Sequence, residues 1–179
     1  GLAIILRERH EQILTDGGHF ELSPMYHALA VEDFLDIINV AKCFGRSEDV
    51  VELEQVLPSM LAWLKLMSHP DEKISFFNDS ATNIAPENSQ IFDYAARLGI
   101  QFSHTFGHRI LPESGYFRLE KSHSVLIGDV GRIGPDYLPS HAHADTLSFE
   151  FSLFGQRLIV NSGTSEYGLG PERLRQRGT

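Results

Sequence analysis

The sequence predicts an α+β chain in which helices come first and antiparallel strands follow. Three observations carry this. Residues 1 to about 99 repeat their apolar positions at helical spacing. Residues from about 110 onward alternate and are broken by turns. The two patterns do not interleave, which sets the chain apart from an alternating α/β fold. A boundary near residues 105/106 is expected, with 1–105 helical and 106–179 the start of a β region.

The first helix is expected to end near Leu14, because Thr15-Asp16-Gly17-Gly18-His19-Phe20 reads as a loop broken by paired glycines. Ser23-Pro24 opens a second helix, with serine as cap and proline at the first helical position. That helix runs to about Phe44, and Gly45 stands where a terminating glycine belongs. Ser47, Glu48 and Asp49 start a third helical stretch, which Pro58 is expected to split. Pro86 to Leu98 forms the last helix of this half, closed by Gly99. In the second half, Gly115–Glu120 and His123–Gly128 read as paired strands. Thr146–Phe154 alternates, and Arg157–Val160 returns after a tight turn at Gly155-Gln156.

Composition narrows the function. The chain has 179 residues, 42% hydrophobic and 22% charged, an ordinary globular balance. No apolar run approaches the roughly 20 residues of a membrane helix, and no leader sequence is legible. A formal net charge of −9 argues against nucleic acid, which recruits basic surfaces. A polyanion would have to be met by a local basic pocket. Cys43 is the only cysteine, so an internal disulfide is excluded and any metal must use histidine and carboxylate.

The chemistry concentrates in Ser140-His141-Ala142-His143-Ala144-Asp145. On a strand, residues two apart share a face. His141, His143 and Asp145 are therefore expected on the same face as Leu147, Phe149, Phe151 and Leu153, at the rim of a buried sheet. Three readings stand side by side: a metal site, general acid–base chemistry by histidine, or a hydrogen-bonded structural cluster. A second concentration, Asp16-Gly-Gly-His-Phe-Glu-Leu-Ser-Pro-Met-Tyr-His27, gathers His19, Glu21, Tyr26 and His27 at a helix start. The unpaired N–H groups there are expected to favour a phenolate at Tyr26 or an adjacent substrate carboxylate; a tyrosine packed against the loop is the structural alternative.

These two segments, with Phe77-Asn-Asp-Ser80, Leu158-Ile-Val-Asn-Ser-Gly163 and Arg173-Leu-Arg-Gln-Arg-Gly-Thr179, resemble the heparinase II/III-type polysaccharide lyases. The resemblance implies an incomplete α/α toroid followed by an antiparallel β-sandwich. It implies cleavage of uronic-acid polysaccharides by β-elimination, with an acidic polysaccharide as partner. By resemblance Tyr26 and His141 are the catalytic pair, and His143 is the first ligand of a structural zinc. Asn161 stands where the family has an aspartate ligand, so zinc affinity is expected to fall. His19, Glu21, Arg173 and Arg177 are the expected substrate-binding residues; Arg173, Arg175 and Arg177 make a local basic cluster. The family's uronate-neutralising Asn-His pair is expected before Gly1 and its third zinc ligand after Thr179, so the chain alone is expected to be inactive. The rival readings are a non-catalytic glycan-binding or biosynthesis-associated protein of the same fold, and a metal-dependent hydrolase using His141, His143 and Asp145. The compartment stays open between periplasm and cytoplasm of a bacterium.

Overall fold

The computed structural model describes residues 1–103, 107–137 and 139–178. The expected boundary at 105/106 lies outside the described residues. Helices α1 (Leu2–Gln12), α2 (Pro24–Cys43), α3 (Val51–Leu66) and α4 (Asn88–Arg97) come first, with a 3-10 turn Ser47–Val50 leading into α3. Strands β1 (Arg109–Leu111), β2 (Tyr116–Lys121), β3 (Ser124–Asp129), β4 (Phe149–Leu153) and β5 (Gln156–Ile159) follow. They pair in that order as an antiparallel meander. A short helix, α5 (Pro171–Arg177), comes last. No helix among the described residues is long and apolar enough to cross a membrane.

The helical core joins Val31, Leu35 and Ile38 of α2 to Leu53, Leu57, Leu61 and Leu64 of α3 and Ile91 of α4. This packing explains why Pro58 does not split α3, against expectation: the helix runs through it. An interior proline costs roughly 3 kcal/mol. Each fully buried Leu returns about 1.5–3 kcal/mol, and α3 buries several on both sides of Pro58.

A second core, Trp63, Met67, Phe77, Tyr116, Val125 and Ile127, welds the helices to the sheet. Trp63 Nε1 donates to Ser114 Oγ at 2.9 Å. The Asp16 carboxylate accepts the main-chain N–H groups of Gly18, Glu113 and Ser114. The paired glycines do more than break a helix. Gly17 has φ +92°, and a Cβ there would lie 2.3 Å from the Ser59 carbonyl oxygen; at Gly18 it would lie 2.7 Å from Trp63 Nε1.

The sheet corrects the expected face of β4. Glu150 and Ser152 point inward and are fully buried, whereas Phe149 is exposed. His69 is the reason. Its ring holds Ser152 Oγ at 2.7 Å through Nδ1 and Glu150 Oε2 at 2.6 Å through Nε2. Glu150 Oε1 also accepts the main-chain N–H of Phe76 at 2.5 Å. A buried carboxylate so partnered can take the core side, and the apolar residues go outward. The expected strand is also shorter. His141 ends a 3-10 turn, Pro139–His141, and Leu147 has φ +72°, so residues 142–148 do not continue β4.

Candidate active site

His141, His143 and Asp145 share no strand face, yet the two histidines converge. They do so on Asp79, a residue of the Phe77-Asn-Asp-Ser80 segment to which the sequence assigns no role of its own. Asp79 is fully buried. Its carboxylate lies 3.0 Å from His141 Nδ1 and 2.6 Å from His143 Nε2. Arg173 donates to it through both Nη1, at 2.5 Å, and Nη2. Burial works against the charge of Asp79, but the hydrogen bonds from His143, Arg173 and His141 outweigh it and hold the carboxyl well below the ordinary range.

The residues flanking Asp79 fix the segment in place. Asn78, at φ +55°, donates through Nδ2 to the Leu22 carbonyl and to Tyr116 Oη, and accepts the His143 main-chain N–H at 2.9 Å. Its own N–H goes to Asp145 Oδ2 at 2.5 Å. Ser80 Oγ accepts the Met25 N–H at 3.2 Å and meets Ser23 Oγ at 3.1 Å. Ser23 does hold the cap position of α2, but its side chain makes no capping bond. The hydroxyl of Ser80 does that work from across the chain.

This cap sets Tyr26 on the first turn of α2, with its ring centroid 4.2 Å from that of His141. The helix-start field was expected to favour a phenolate. Instead burial, with Asp79 and Glu21 nearby, pushes the phenol upward, and the Arg173 guanidinium offsets this only in part. Tyr26 therefore holds its proton. A second phenol, Tyr167, donates to the Asp79 carbonyl at 3.2 Å and lies beneath the Arg173 guanidinium. Burial and the neighbouring Tyr26 and Asp79 push it to about 12. Nothing in the sequence pattern distinguished this tyrosine.

The remaining expected residues fall as follows. Glu21 Oε2 lies 3.9 Å from His141 Nε2, and burial raises its carboxyl. His19 is buried, and desolvation, then His141, lower it to about 4. Both therefore border His141. Arg173 is buried against Asp79 and Thr164 Oγ1. Arg177 donates from Nε to the Ala142 carbonyl at 2.9 Å, and its own carbonyl accepts the Ala144 N–H. Arg175 pairs with Glu172. Arg177 thus ties the end of α5 to the loop that carries the histidines.

For a metal, the telling atom is His143 Nδ1, which is buried and has no partner. With Nε2 on Asp79, this is the nitrogen a metal would take, and a ligating histidine usually bonds a carboxylate through its other ring nitrogen. Asn161 donates through Nδ2 to Ser148 Oγ at 3.1 Å, and its Oδ1 accepts the Ser162 N–H. No group of three His, Cys, Asp or Glu able to hold a metal occurs among the described residues. These residues fit one strong donor and fall short of the four a structural zinc needs.

A cleft of about 830 Å³ is lined in part by Phe20, Leu22, Tyr116 and Tyr137. The Phe20 and Tyr137 rings lie nearly parallel, at 15°, with centroids 6.1 Å apart.

Comparison with known proteins gives the family and the fold. A family model described as heparinase II/III N-terminus matches residues 1–98, and one described as heparinase II/III-like, C-terminal, matches residues 104–179. The chain is 28% identical to a heparin-sulfate lyase of Bacteroides stercoris, over 99% of this chain and 29% of that protein. It is 24% identical to a heparin-sulfate lyase of Pedobacter heparinus, over 93% of this chain and 28% of that protein. Among solved structures, a heparinase III matches with TM-score 0.81 at 22% identity, covering 99% of this chain and 33% of that one. The heparan sulfate lyase HepC of Pedobacter heparinus matches with TM-score 0.74 at 22% identity, covering 98% and 30%. The chain therefore spans under a third of the length of the curated relatives it matches.

Proposed function

The chain belongs to the heparinase II/III family, and from that membership we propose that it carries part of the active site of a lyase that cleaves uronic-acid polysaccharide by β-elimination. The observation that supports this best is the contact between a protonated phenol, Tyr26, and the imidazole of His141, held from behind by Asp79.

In β-elimination a base removes the proton next to the uronate carboxylate. The electron pair of that C–H bond forms the new double bond, the C4–O4 bond breaks, and O4 takes a proton. We assign the base to the ring nitrogen of His141 that faces Glu21 and the acid to Tyr26. A phenol that still carries its proton at neutral pH has one to give to O4. Glu21 and His19 border the reacting ring, and the faces of Phe20 and Tyr137 offer apolar surface to a sugar. Arg177, at the end of α5, is bonded to the loop that carries His143 and is the candidate to meet substrate; Arg173 acts through Asp79. Neutralising the uronate would stabilise the negative charge that builds up beside it.

On the family's pattern, the helices form part of an α/α toroid and the sheet begins a β-sandwich. The outward apolar residues Leu119, Phe149 and Ile159 support a second layer over the sheet. Zinc at His143 Nδ1, with the Asn161 oxygen as a weaker second donor, would order the loop; it needs donors beyond these two, and no step depends on it. The heparin-sulfate lyase relatives favour a glycosaminoglycan as substrate.

The test is ultraviolet absorbance of unsaturated sugar when the protein, in its natural full length, meets heparan, alginate and bacterial capsular polymers. Product from a uronate polymer supports the reading. Tight binding of a polymer that stays intact would select a glycan-binding protein instead.

A further inference from the structure

Asp79 has the partners of a residue that does more than fill the core. An ionised carboxylate only accepts hydrogen bonds and has about four lone-pair sites. Four donors converge on Asp79: His141 Nδ1, His143 Nε2 and both Nη atoms of Arg173. Each of the two ring nitrogens must then carry hydrogen. For His141 this leaves Nε2 as the nitrogen without a hydrogen in the neutral ring, and Nε2 is the atom that faces Glu21. The main chain adds a second tie, because the Asp79 N–H donates to the His141 carbonyl at 3.2 Å. The carboxylate and the backbone of one residue thus hold both ends of His141. A carboxylate with room to move would let the ring turn, but Asp79 has none. Arg173 grips both oxygens, and Asn78 and Ser80 pin the residues on either side.

We propose that Asp79 is a positioning residue for catalysis, fixing the tautomer and orientation of His141 so that Nε2 presents its lone pair to the substrate, and that Arg173 serves to lock Asp79. This rests on the lyase reading of His141. The same carboxylate orients His143 from the other side, so one side chain sets the histidine of the chemistry and the histidine of the loop together.

The experiment has two independent arms. Long-range nitrogen–proton NMR on histidine-labelled protein reads the tautomer of His141 directly, without any turnover. The expected result is hydrogen on Nδ1 and a bare Nε2. Asp79→Asn supplies the second arm, because an amide can donate to Nδ1 and so move the hydrogen to Nε2. With the near-ultraviolet circular dichroism unchanged, kcat should fall by about 10³–10⁴-fold while KM shifts by less than about threefold. That is the scale seen when the carboxylate orienting a catalytic histidine becomes an amide. The NMR spectrum of the variant should show the changed tautomer.

Hydrogen on Nε2 in the unmodified protein would overturn the proposal, and so would an Asp79→Asn variant retaining full kcat. A variant that loses activity with the His141 tautomer unchanged would reduce Asp79 to a structural residue and also overturn it. Should the variant fail to fold, the tautomer of the unmodified protein decides. Absence of unsaturated product from the unmodified protein on every polymer would sink the lyase reading, and the NMR arm would still report whether Asp79 sets the ring.

Discussion

Replacing Asp129 by Asn should change the sign of its effect on stability between acid and neutral pH. Asp129 ends β3, is 4% exposed, and accepts the Gly131 N–H at 2.8 Å. Burial is the main reason its carboxyl is pushed up from 3.8 to about 6; the Gly131 N–H pulls the other way and Asp145 adds to the rise. An acid with a raised folded value binds more protons folded than unfolded between those two values, so its contribution to stability falls as pH rises through that window. Roughly two units at 1.36 kcal/mol each give about 3 kcal/mol lost by neutral pH. An asparagine keeps an oxygen for Gly131 and never carries the charge, but its amide hydrogens need a partner, at about 1 kcal/mol. Urea denaturation should therefore find Asp129→Asn about 1–2 kcal/mol more stable than the parent near neutral pH and about 0.5 kcal/mol less stable at about pH 4. Titrating groups that do not interact with Asp129 cancel in the difference. A difference constant within about 0.5 kcal/mol over that span would refute the reasoning, because it would mean Asp129 is not titrating against its burial.

Three further outcomes follow from the packing and the buried histidines. Gly17→Ala should destabilise the protein by about 2 kcal/mol or more, since it adds left-handed strain to a contact with the Ser59 carbonyl that a Cβ cannot make; a shift in the urea midpoint reads it, and no shift would mean the loop relaxes freely. Ser80→Ala removes the acceptor for the Met25 N–H and should cost about 1 kcal/mol. Thermal unfolding checks this, and a loss confined to activity would contradict the capping role. On the acid side, His19 and His27 are lowered to about 4 and about 3, chiefly by burial. Bases depressed in the folded state contribute stability above their unfolded value near 6.5 that is lost as pH falls. His27→Gln should therefore flatten the acid limb of the stability profile, and an unchanged limb would show that His27 does not resist protonation.

Legibility in the sequence followed how local each signal was. Helix α2 was readable because Pro24 and Gly45 act within a turn of its ends, and both lie where expected. Pro58 misled because propensity is a local term, and the leucines around it decide the matter through tertiary burial. The face of β4 was read backwards because hydrophobicity alone ranks Phe149 above Glu150 as a core residue. The partner that reverses this order, His69, lies 81 residues away in sequence. The site was half legible. Family motifs single out Tyr26 and His141, and the structure brings their rings together. Asp79 and Tyr167 were not legible, since an Asn-Asp-Ser triplet and a lone tyrosine carry no spacing signal. Their meaning comes from contacts with residues 62 to 94 positions away for Asp79 and 88 for Tyr167.

Elimination by Tyr26 and His141 is distinguished from hydrolysis by the masses of products formed in heavy-oxygen water. With a uronate polymer as substrate, the protein in its natural full length should yield unsaturated sugar without label from the solvent, and Tyr26→Phe should abolish it. Saturated products carrying one solvent oxygen would make the protein a hydrolase and rule out elimination.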